Sequence, residues 1–193
     1  GTGVDLSPYF VTAAQANVAA RVSKPSQVEI LCPDGRDYSP AEPLDLAMCV
    51  GASWVFGGHA GTLAALRRFV RPGGLVLVGE PYWHREPDPA YLTAIGETPA
   101  SFLTHEGNVQ AGISAGLIPI YSVDAARDDW DRYEWLRVQA GERYAYCHQE
   151  DPDSAEILQR SRENRDVYLR WARVDLDSAR RWVEWRRRVF IRT

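Results

Sequence analysis

The sequence predicts an α/β protein with a mostly parallel sheet. Two segments, Leu44–Val50 and Leu75–Val78, are almost continuously apolar, which is typical of strands covered on both faces. A helical pattern over Thr62–Val70 lies between them. Strand, helix and strand joined by short connections form right-handed units that place the strands parallel in one sheet. The length of 193 residues fits one domain, so we expect a single domain over residues 1–193.

The composition is that of an ordinary water-soluble protein. Hydrophobic residues make up 45% and charged residues 25%, and the net charge of −4 gives no general attraction to nucleic acid. No apolar stretch approaches the roughly 18 residues of a membrane helix, and no signal peptide is visible. Cys32, Cys49 and Cys147 are widely spaced and form no CxxC pair. This pattern favours free thiols in the cytoplasm over a disulfide framework or a metal site.

The first residues predict the end of a strand followed by a helix. Val4 is apolar, Asp5 is acidic, and Ser7-Pro8 is a typical helix start, since Ser is a good N-cap and Pro is tolerated at the first helical position. Apolar residues then recur at helical spacing over Tyr9–Val22. Gln27–Cys32 alternates like a strand and ends in a Pro-Asp-Gly turn.

The second half predicts helices and an antiparallel closing pair of strands. Residues 85–110 are Pro-rich and irregular, with short helices possible. Helices are predicted over Asp128–Gln149 and Asp153–Arg173, and strands over Gly116–Ala125 and residues 187–193. The last two strands suggest an antiparallel hairpin that closes the sheet.

The Arg-rich and Trp-rich end of the chain allows two interpretations. Basic side chains interleaved with aromatic rings can bind single-stranded nucleic acid. On a helix, Trp182 and Trp185 would instead share one buried face, with Arg stems lying beside them. The arginines concerned are Arg180, Arg181, Arg186 and Arg187. Because the chain is acidic overall, we favour the second interpretation and predict no nucleic-acid partner.

Four segments together resemble the class I S-adenosylmethionine-dependent methyltransferases, and among these a bacterial subgroup that acts on small molecules. They are "GTGVDLSPYFVTAA", "CPDG", "LDLAMCVGASWVFGG" and "LRRFVRPGGLVLVGEPYW", and they cover residues 1 to about 83. The resemblance implies a Rossmann-like methyltransferase sheet, mostly parallel with an antiparallel closing strand, and helices on both faces. Residues 85–110 and 128–173 would be insertions and helices on the acceptor side. The family's first strand and glycine-rich loop are missing, so we expect an amino-terminally incomplete domain.

The resemblance also implies which residues bind the cofactor, S-adenosyl-L-methionine. Asp5 matches the acid that holds the ribose hydroxyls, and Leu6 matches its apolar neighbour against the adenine. Asp34, with Gly35 beside it, matches the acid that meets the adenine amino group. The loop that faces the methionine part corresponds to Cys49, Val50, Gly51 and Ala52. The simpler alternatives are that Asp5 only caps the helix, that Asp34 only forms a turn, and that Cys49 is a small buried hydrophobe.

Aromatic and titratable residues at the carboxyl ends of the strands are candidates for the acceptor site. Trp54 could stabilise a sulfonium by cation–π attraction, or could be part of the core. Trp54, Tyr82 and Trp83 are predicted to line an acceptor pocket. His59, expected in an exposed glycine-rich loop, and Glu80, expected at the end of its strand, could each accept a proton. We rank Glu80 above His59, because a residue on a strand is held more firmly than one in a loop.

The predicted function is methyl transfer from S-adenosyl-L-methionine to a small-molecule acceptor, by a monomer or homodimer. One alternative is a fragment of a nicotinamide-dependent oxidoreductase, because an acid after the second strand also binds the ribose of NAD. The predicted closing hairpin argues against it. The other alternative is a non-catalytic domain that binds an adenosine cofactor.

Overall fold

A computed structural model of the protein describes residues 1–83, 86–173 and 183–192. The strands are β1 (Thr2–Val4), β2 (Glu29–Leu31), β3 (Leu44–Val50), β4 (Val70–Trp83), β5 (Leu117–Asp124) and β6 (Val183–Arg192). The α-helices are α1 (Pro8–Arg21), α2 (His59–Phe69), α3 (Pro89–Ile95), α4 (His105–Ser114), α5 (Arg127–Cys147) and α6 (Ser154–Val167). Short 3-10 turns span Pro25–Gln27, Ser53–Phe56 and Pro99–Ser101, and a π-helical turn spans Tyr168–Arg173.

The strands form two sheets. β1 and β2 pair in parallel, and a four-stranded sheet has the order β3-β4-β6-β5. β3 and β4 are parallel, whereas β6 runs antiparallel to both β4 and β5. In the larger sheet β3, β4 and β5 therefore share one direction and β6 opposes them. This arrangement confirms the predicted mostly parallel α/β sheet with an antiparallel closing strand.

The core lies where α2 and α4 meet the four-stranded sheet. Val76 and Val78 of β4, Leu63 of α2 and Phe190 of β6 are fully buried. Gly112 of α4 packs directly on the Phe190 ring, where an added Cβ would lie 2.3 Å from a ring carbon. The helix can approach the sheet this closely because it has no side chain at that point.

The start of α1 confirms the capping prediction. Ser7 is the N-cap, its Oγ accepts a hydrogen bond from the backbone N–H of Phe10, and Pro8 is the first helical residue. The cap accounts for one of the orphan amides at the helix start.

Strand β3 corrects one prediction. The sequence predicts burial on both faces, but Met48 is 61% exposed and Leu46 is also exposed, while Ala47 between them is buried. The reason is that one face of β3 forms the wall of a cleft. Apolar side chains on that face therefore meet solvent, and the sequence pattern cannot distinguish such a wall from a core.

Strand β4 is longer than predicted at both ends. The predicted "RPGG" turn, residues 71–74, lies inside β4, where Val70 pairs with Leu44 but Leu75 pairs with Leu46. The residues between these pairs bulge out of the ladder, with Gly73 at a φ of 76°. The strand also continues to Trp83, so that Glu80 lies within it and not at its end.

The Arg-rich end of the chain is partly a strand. Trp185, Arg186 and Arg187 belong to β6. The strand predicted from residue 187 onwards is therefore confirmed, and it begins earlier than expected. The interpretation that places Trp185 and Arg186 on a helix is wrong, because pairing with β4 imposes the extended backbone. Arg180, Arg181 and Trp182 lie outside the described residues. Among the described residues, no helix combines the length and the apolar character needed to cross a membrane.

Candidate functional site

A cleft of about 580 Å³ lies between β1 and β3. β1 and the residues that follow it form one wall, and β3 forms the other. The carboxyl-terminal part of α2, the 34–38 loop and the 52–56 turn complete the lining. Six of the eight predicted cofactor residues line it: Asp5, Leu6, Asp34, Gly35, Cys49 and Ala52. Val50 and Gly51 do not, and the Gly51 N–H is instead hydrogen-bonded to the carbonyl of Gly79 at 3.0 Å. The fold thus gathers residues from three separate segments around one cavity.

Asp5 directly follows β1, at the carboxyl end of the parallel pair. Its backbone N–H donates to the Leu31 carbonyl at 3.2 Å, and its Oδ1 accepts from the Ser7 N–H at 2.8 Å. Within the described part of the chain, Oδ2 has no protein donor. Asp5 therefore supports the start of α1, as the simpler alternative holds, and still has one carboxylate oxygen available to a ligand. Leu6 beside it is 58% exposed, which leaves an apolar surface at the cleft.

Asp34 forms a bidentate ion pair with Arg36. Arg36 Nη2 donates to Oδ2 at 2.6 Å, and Arg36 Nε donates to Oδ1 at 3.0 Å. The Arg36 N–H also donates to Oδ1 at 2.9 Å, which closes a turn. The side-chain hydrogen bonds from Arg36, followed by the backbone one, lower the pKa of Asp34 to about 2. Both oxygens already accept hydrogen bonds, so a ligand amino group must share them with Arg36.

Cys49 and Ala52 line the cleft near the end of β3. Burial raises the pKa of the Cys49 thiol, and the charge of Glu80 raises it further. A raised pKa keeps the thiol protonated at neutral pH, so this cysteine lacks the thiolate that nucleophilic attack needs. The alternative of a small, unreactive residue fits Cys49.

The three predicted acceptor residues lie in different surroundings. Trp54 lines the cleft and is 72% exposed, which is inconsistent with the core-packing alternative. Tyr82 and Trp83 are buried and are not among the cleft-lining residues. Trp83 donates from Nε1 to the Pro99 carbonyl at 2.9 Å and packs edge-on against Phe102. These contacts give Trp83 a packing role in the described structure.

Glu80 is 6% exposed and accepts a hydrogen bond from Ser53 Oγ at 2.6 Å. Ser53 opens the 3-10 turn that follows β3 and is itself buried. Glu80 does not line the cleft. It lies behind the turn that carries Trp54.

His59 is 7% exposed, so the prediction of an exposed loop residue is wrong. It is the first residue of α2, and packing of this helix on α4 encloses the ring. His59 Nε2 lies 3.1 Å from the carbonyl oxygen of Asn108. Since a carbonyl only accepts, Nε2 carries the proton in this contact. His59 and Glu80 are both buried, and neither of them lines the cleft.

The predicted site residues do not include Arg36, which lines the cleft, or Ser53, which lies next to two lining residues, and other lining residues such as Tyr38 and Met48 were not predicted either. Arg36 is separated from Asp34 by one glycine, a spacing that could have indicated a local ion pair. Ser53 carries no signal in the sequence, because its importance comes from Glu80, which is 27 residues away.

Comparison with known proteins identifies the family. Residues 1–78 match the family model described as "Methyltransferase domain". The chain is 34% identical over 160 residues, 81% of its length, to the uncharacterized protein YjhP of Escherichia coli strain K12, and spans 64% of that protein. The crystal structure of YjhP superposes with a TM-score of 0.87 at 30% identity, covering 100% of this chain and 76% of that chain.

Two further solved structures are described as S-adenosylmethionine-dependent methyltransferases in complex with S-adenosyl-L-homocysteine. The one from Geobacter sulfurreducens has a TM-score of 0.87 and 27% identity, and the one from Thiobacillus denitrificans has a TM-score of 0.85 and 30% identity. Each match covers 100% of this chain and 75% of the other. These findings oppose the nicotinamide-dependent alternative. The fold, the cleft and these relatives together show that the chain belongs to the S-adenosylmethionine-dependent methyltransferase family.

Proposed function

We propose that the protein transfers a methyl group from S-adenosyl-L-methionine to a small-molecule acceptor, and that the cleft between β1 and β3 binds this cofactor. The observation that carries the proposal is the convergence of Asp5, Asp34 and Ala52, from three segments, on one cleft. Family membership supports the reaction class, and the two relatives in complex with S-adenosyl-L-homocysteine support the cofactor.

The residues of the cleft fit the adenosine part of the cofactor. The Oδ2 atom of Asp5 can accept a hydrogen bond from a ribose hydroxyl while Oδ1 continues to accept from Ser7. Leu6 offers an exposed apolar side chain that an adenine ring would cover. Asp34 and Gly35 border the same cleft and would meet the edge of the base. Burial of Leu6 by the ligand would contribute to affinity.

When bound, the cofactor supplies an electrophilic methyl group on a positively charged sulfur. The contribution of this chain is to bind and orient, because direct displacement depends mainly on alignment, which can lower a barrier by roughly 7–11 kcal/mol. Trp54 supplies an exposed aromatic face at the cleft that can attract a cation. The roles of Glu80 and His59 as proton acceptors remain predictions.

The remaining proposals concern surroundings and partners. A net charge of −4 and the placement of Arg186 and Arg187 in a paired strand favour a small molecule over nucleic acid as the substrate. The three cysteines are unpaired, which supports a reducing compartment such as the cytoplasm. We propose a monomer or homodimer in solution.

Isothermal titration of the protein with S-adenosyl-L-homocysteine and, separately, with NAD tests the cofactor assignment. We expect one site for S-adenosyl-L-homocysteine and no heat of binding for NAD. The reverse preference would refute the proposal. Transfer of a labelled methyl group to a panel of small molecules then separates an enzyme from a domain that binds the cofactor without turnover.

A further inference from the structure

The 3-10 turn Ser53–Phe56 is bordered by glycines and held from outside. Gly51, Gly57 and Gly58 have φ values of 70°, 76° and 103°, a region open to glycine at little steric cost. Glycine also loses the most conformational freedom on folding, so a short turn between such residues is poorly held by its own backbone. The turn matters to the site because Ala52 and Trp54, on either side of Ser53, both line the cleft.

Ser53 is held at both its side chain and its carbonyl. Its Oγ donates to Glu80 Oε1 at 2.6 Å, in a buried setting. Its carbonyl accepts from Thr62 Oγ1 at 3.3 Å and from the Gly58 N–H at 2.9 Å. We call the two side-chain contacts, Ser53–Glu80 and Ser53–Thr62, the Ser53 tether.

The two residues that hold Ser53 both lie in regular secondary structure. Glu80 lies within β4, directly after Gly79, the last residue that pairs with β3, and itself pairs with β6. Thr62 is fully buried in α2, and its single hydroxyl proton is shared between the Ser53 carbonyl at 3.3 Å and the Gly58 carbonyl at 3.0 Å. A hydrogen bond to a carboxylate is stronger than one between neutral groups, and burial strengthens it further. The tether therefore connects the turn to the sheet and to α2.

We infer that Glu80 and Thr62 are positioning residues, which hold Ser53 so that Ala52 and Trp54 present a fixed surface to the bound cofactor. This inference rests on the proposed function of the cleft. It gives Glu80 a role different from the predicted proton acceptor. The carboxylate acts through Ser53, and what it must do is accept a hydrogen bond, which an amide oxygen can also do.

The two roles predict different results for binding of S-adenosyl-L-homocysteine. If Glu80 is only a proton acceptor, neither Ser53→Ala nor Glu80→Gln should change this affinity, because binding involves no proton transfer. Glu80→Gln keeps an oxygen that can accept from Ser53 but removes the base. Ser53→Ala keeps the carboxylate but removes the donor. For a positioning role, we expect Ser53→Ala to weaken binding of S-adenosyl-L-homocysteine by about three- to tenfold. One hydrogen bond to a charged group sets the upper end of this range, because the affinity lost can be no larger than what the bond contributes to ordering the turn. Glu80→Gln should weaken it less than about threefold.

The experiment measures the dissociation constant by calorimetry and the free energy of unfolding by urea titration for each variant. The double variant Ser53→Ala/Glu80→Gln should bind as Ser53→Ala does, because the two residues act as one unit. Gly112→Ala, which disturbs the core at Phe190 away from the turn, is the control for a general loss of stability. We expect it to leave the affinity of the folded protein unchanged.

Thr62→Val and Thr62→Ser test the other half of the tether and stay informative if Ser53→Ala fails to fold. Thr62→Val removes the hydroxyl with little change in shape, so we expect weaker binding, and Thr62→Ser should restore it. If Ser53→Ala and Thr62→Val both bind S-adenosyl-L-homocysteine as tightly as the wild-type protein does, the inference is overturned. The proposed function would stand in that case, because the wild-type protein still binds the ligand. A wild-type protein that does not bind S-adenosyl-L-homocysteine would refute the proposed function and this inference with it.

Discussion

Arg36 donates hydrogen bonds to both carboxylate oxygens of Asp34, and its own backbone N–H adds another to Oδ1. Two residues separated by one glycine thus build a closed ion pair at the edge of the cleft between β1 and β3. The arrangement has consequences for pH dependence and for ligand binding.

The first prediction concerns acid stability. The pKa of Asp34 falls from 3.8 to about 2 because of Arg36. A lowered pKa in the folded protein means that the stabilisation is present above pH 4 and is lost as the pH falls towards 2. We expect the difference in unfolding free energy between wild type and Asp34→Asn to shrink below pH 4. Urea titrations between pH 6 and pH 3 measure it, and Arg36→Gln, which removes the guanidinium but keeps the Asp34 carboxylate, should reduce the pH trend.

The second prediction concerns the effect of Asp34 on the affinity for S-adenosyl-L-homocysteine. Asp34→Asn should weaken binding of S-adenosyl-L-homocysteine less than Asp34→Ala, because the Asn oxygen can still accept from an amino group. Calorimetry on both variants provides the comparison. If neither substitution changes the dissociation constant, Asp34 only forms the turn and Arg36 already saturates its oxygens.

The third prediction concerns Asp5. Asp5→Ala should weaken S-adenosyl-L-homocysteine binding by about 1.5–3 kcal/mol, the scale of hydrogen bonds to a charged group. Because Asp5 also accepts from the Ser7 N–H, some loss of stability is expected too. Ser7→Ala removes the cap of α1 and serves as the control, since it should lower stability with little effect on affinity. An equal loss of affinity in both variants would reduce Asp5 to a helix-capping role.

The fourth prediction concerns Trp54. The side chain is 72% exposed, so Trp54→Ala should change the free energy of unfolding by less than about 0.5 kcal/mol. If its ring attracts the sulfonium, the variant should lose about 1–2 kcal/mol of affinity for S-adenosylmethionine and less for uncharged S-adenosylhomocysteine. Trp54→Phe should keep part of the preference for the charged S-adenosylmethionine, because a Phe ring also attracts a cation. Equal losses for the two ligands would exclude a cation–π contribution.

The fifth prediction concerns the contact of α4 with the sheet. Gly112→Ala should destabilise the protein by about 1–3 kcal/mol, because the new methyl group would collide with the fully buried ring of Phe190. Gly107→Ala, in the same helix, would place its new methyl group 3.2 Å from Leu103 Cβ and 3.3 Å from Thr104 Oγ1, which needs a much smaller adjustment than the approach at Phe190. A thermal or urea unfolding series compares the two. Equal stability of both variants would show that Phe190 can move aside.

The order of strands and helices, the cap at Ser7, and the acids Asp5 and Asp34 at their strand ends could all be predicted from the sequence. These features depend on apolar runs, capping residues and turn residues, so interactions between residues close in sequence determine them. The antiparallel pair formed by β5 and β6 could also be predicted, because each strand has an apolar pattern of its own.

Other features required the tertiary structure. Glu80 appears as a polar residue that ends a strand, but β6 pairs with it and extends β4 to Trp83. His59 appears as a loop residue, but α4 covers it. Leu46 and Met48 appear as core residues, but their face of β3 borders a cleft. In each case the environment of a side chain is decided by a partner far away in sequence. The Ser53–Glu80 hydrogen bond joins residues 27 positions apart, and no local pattern can encode that distance in space.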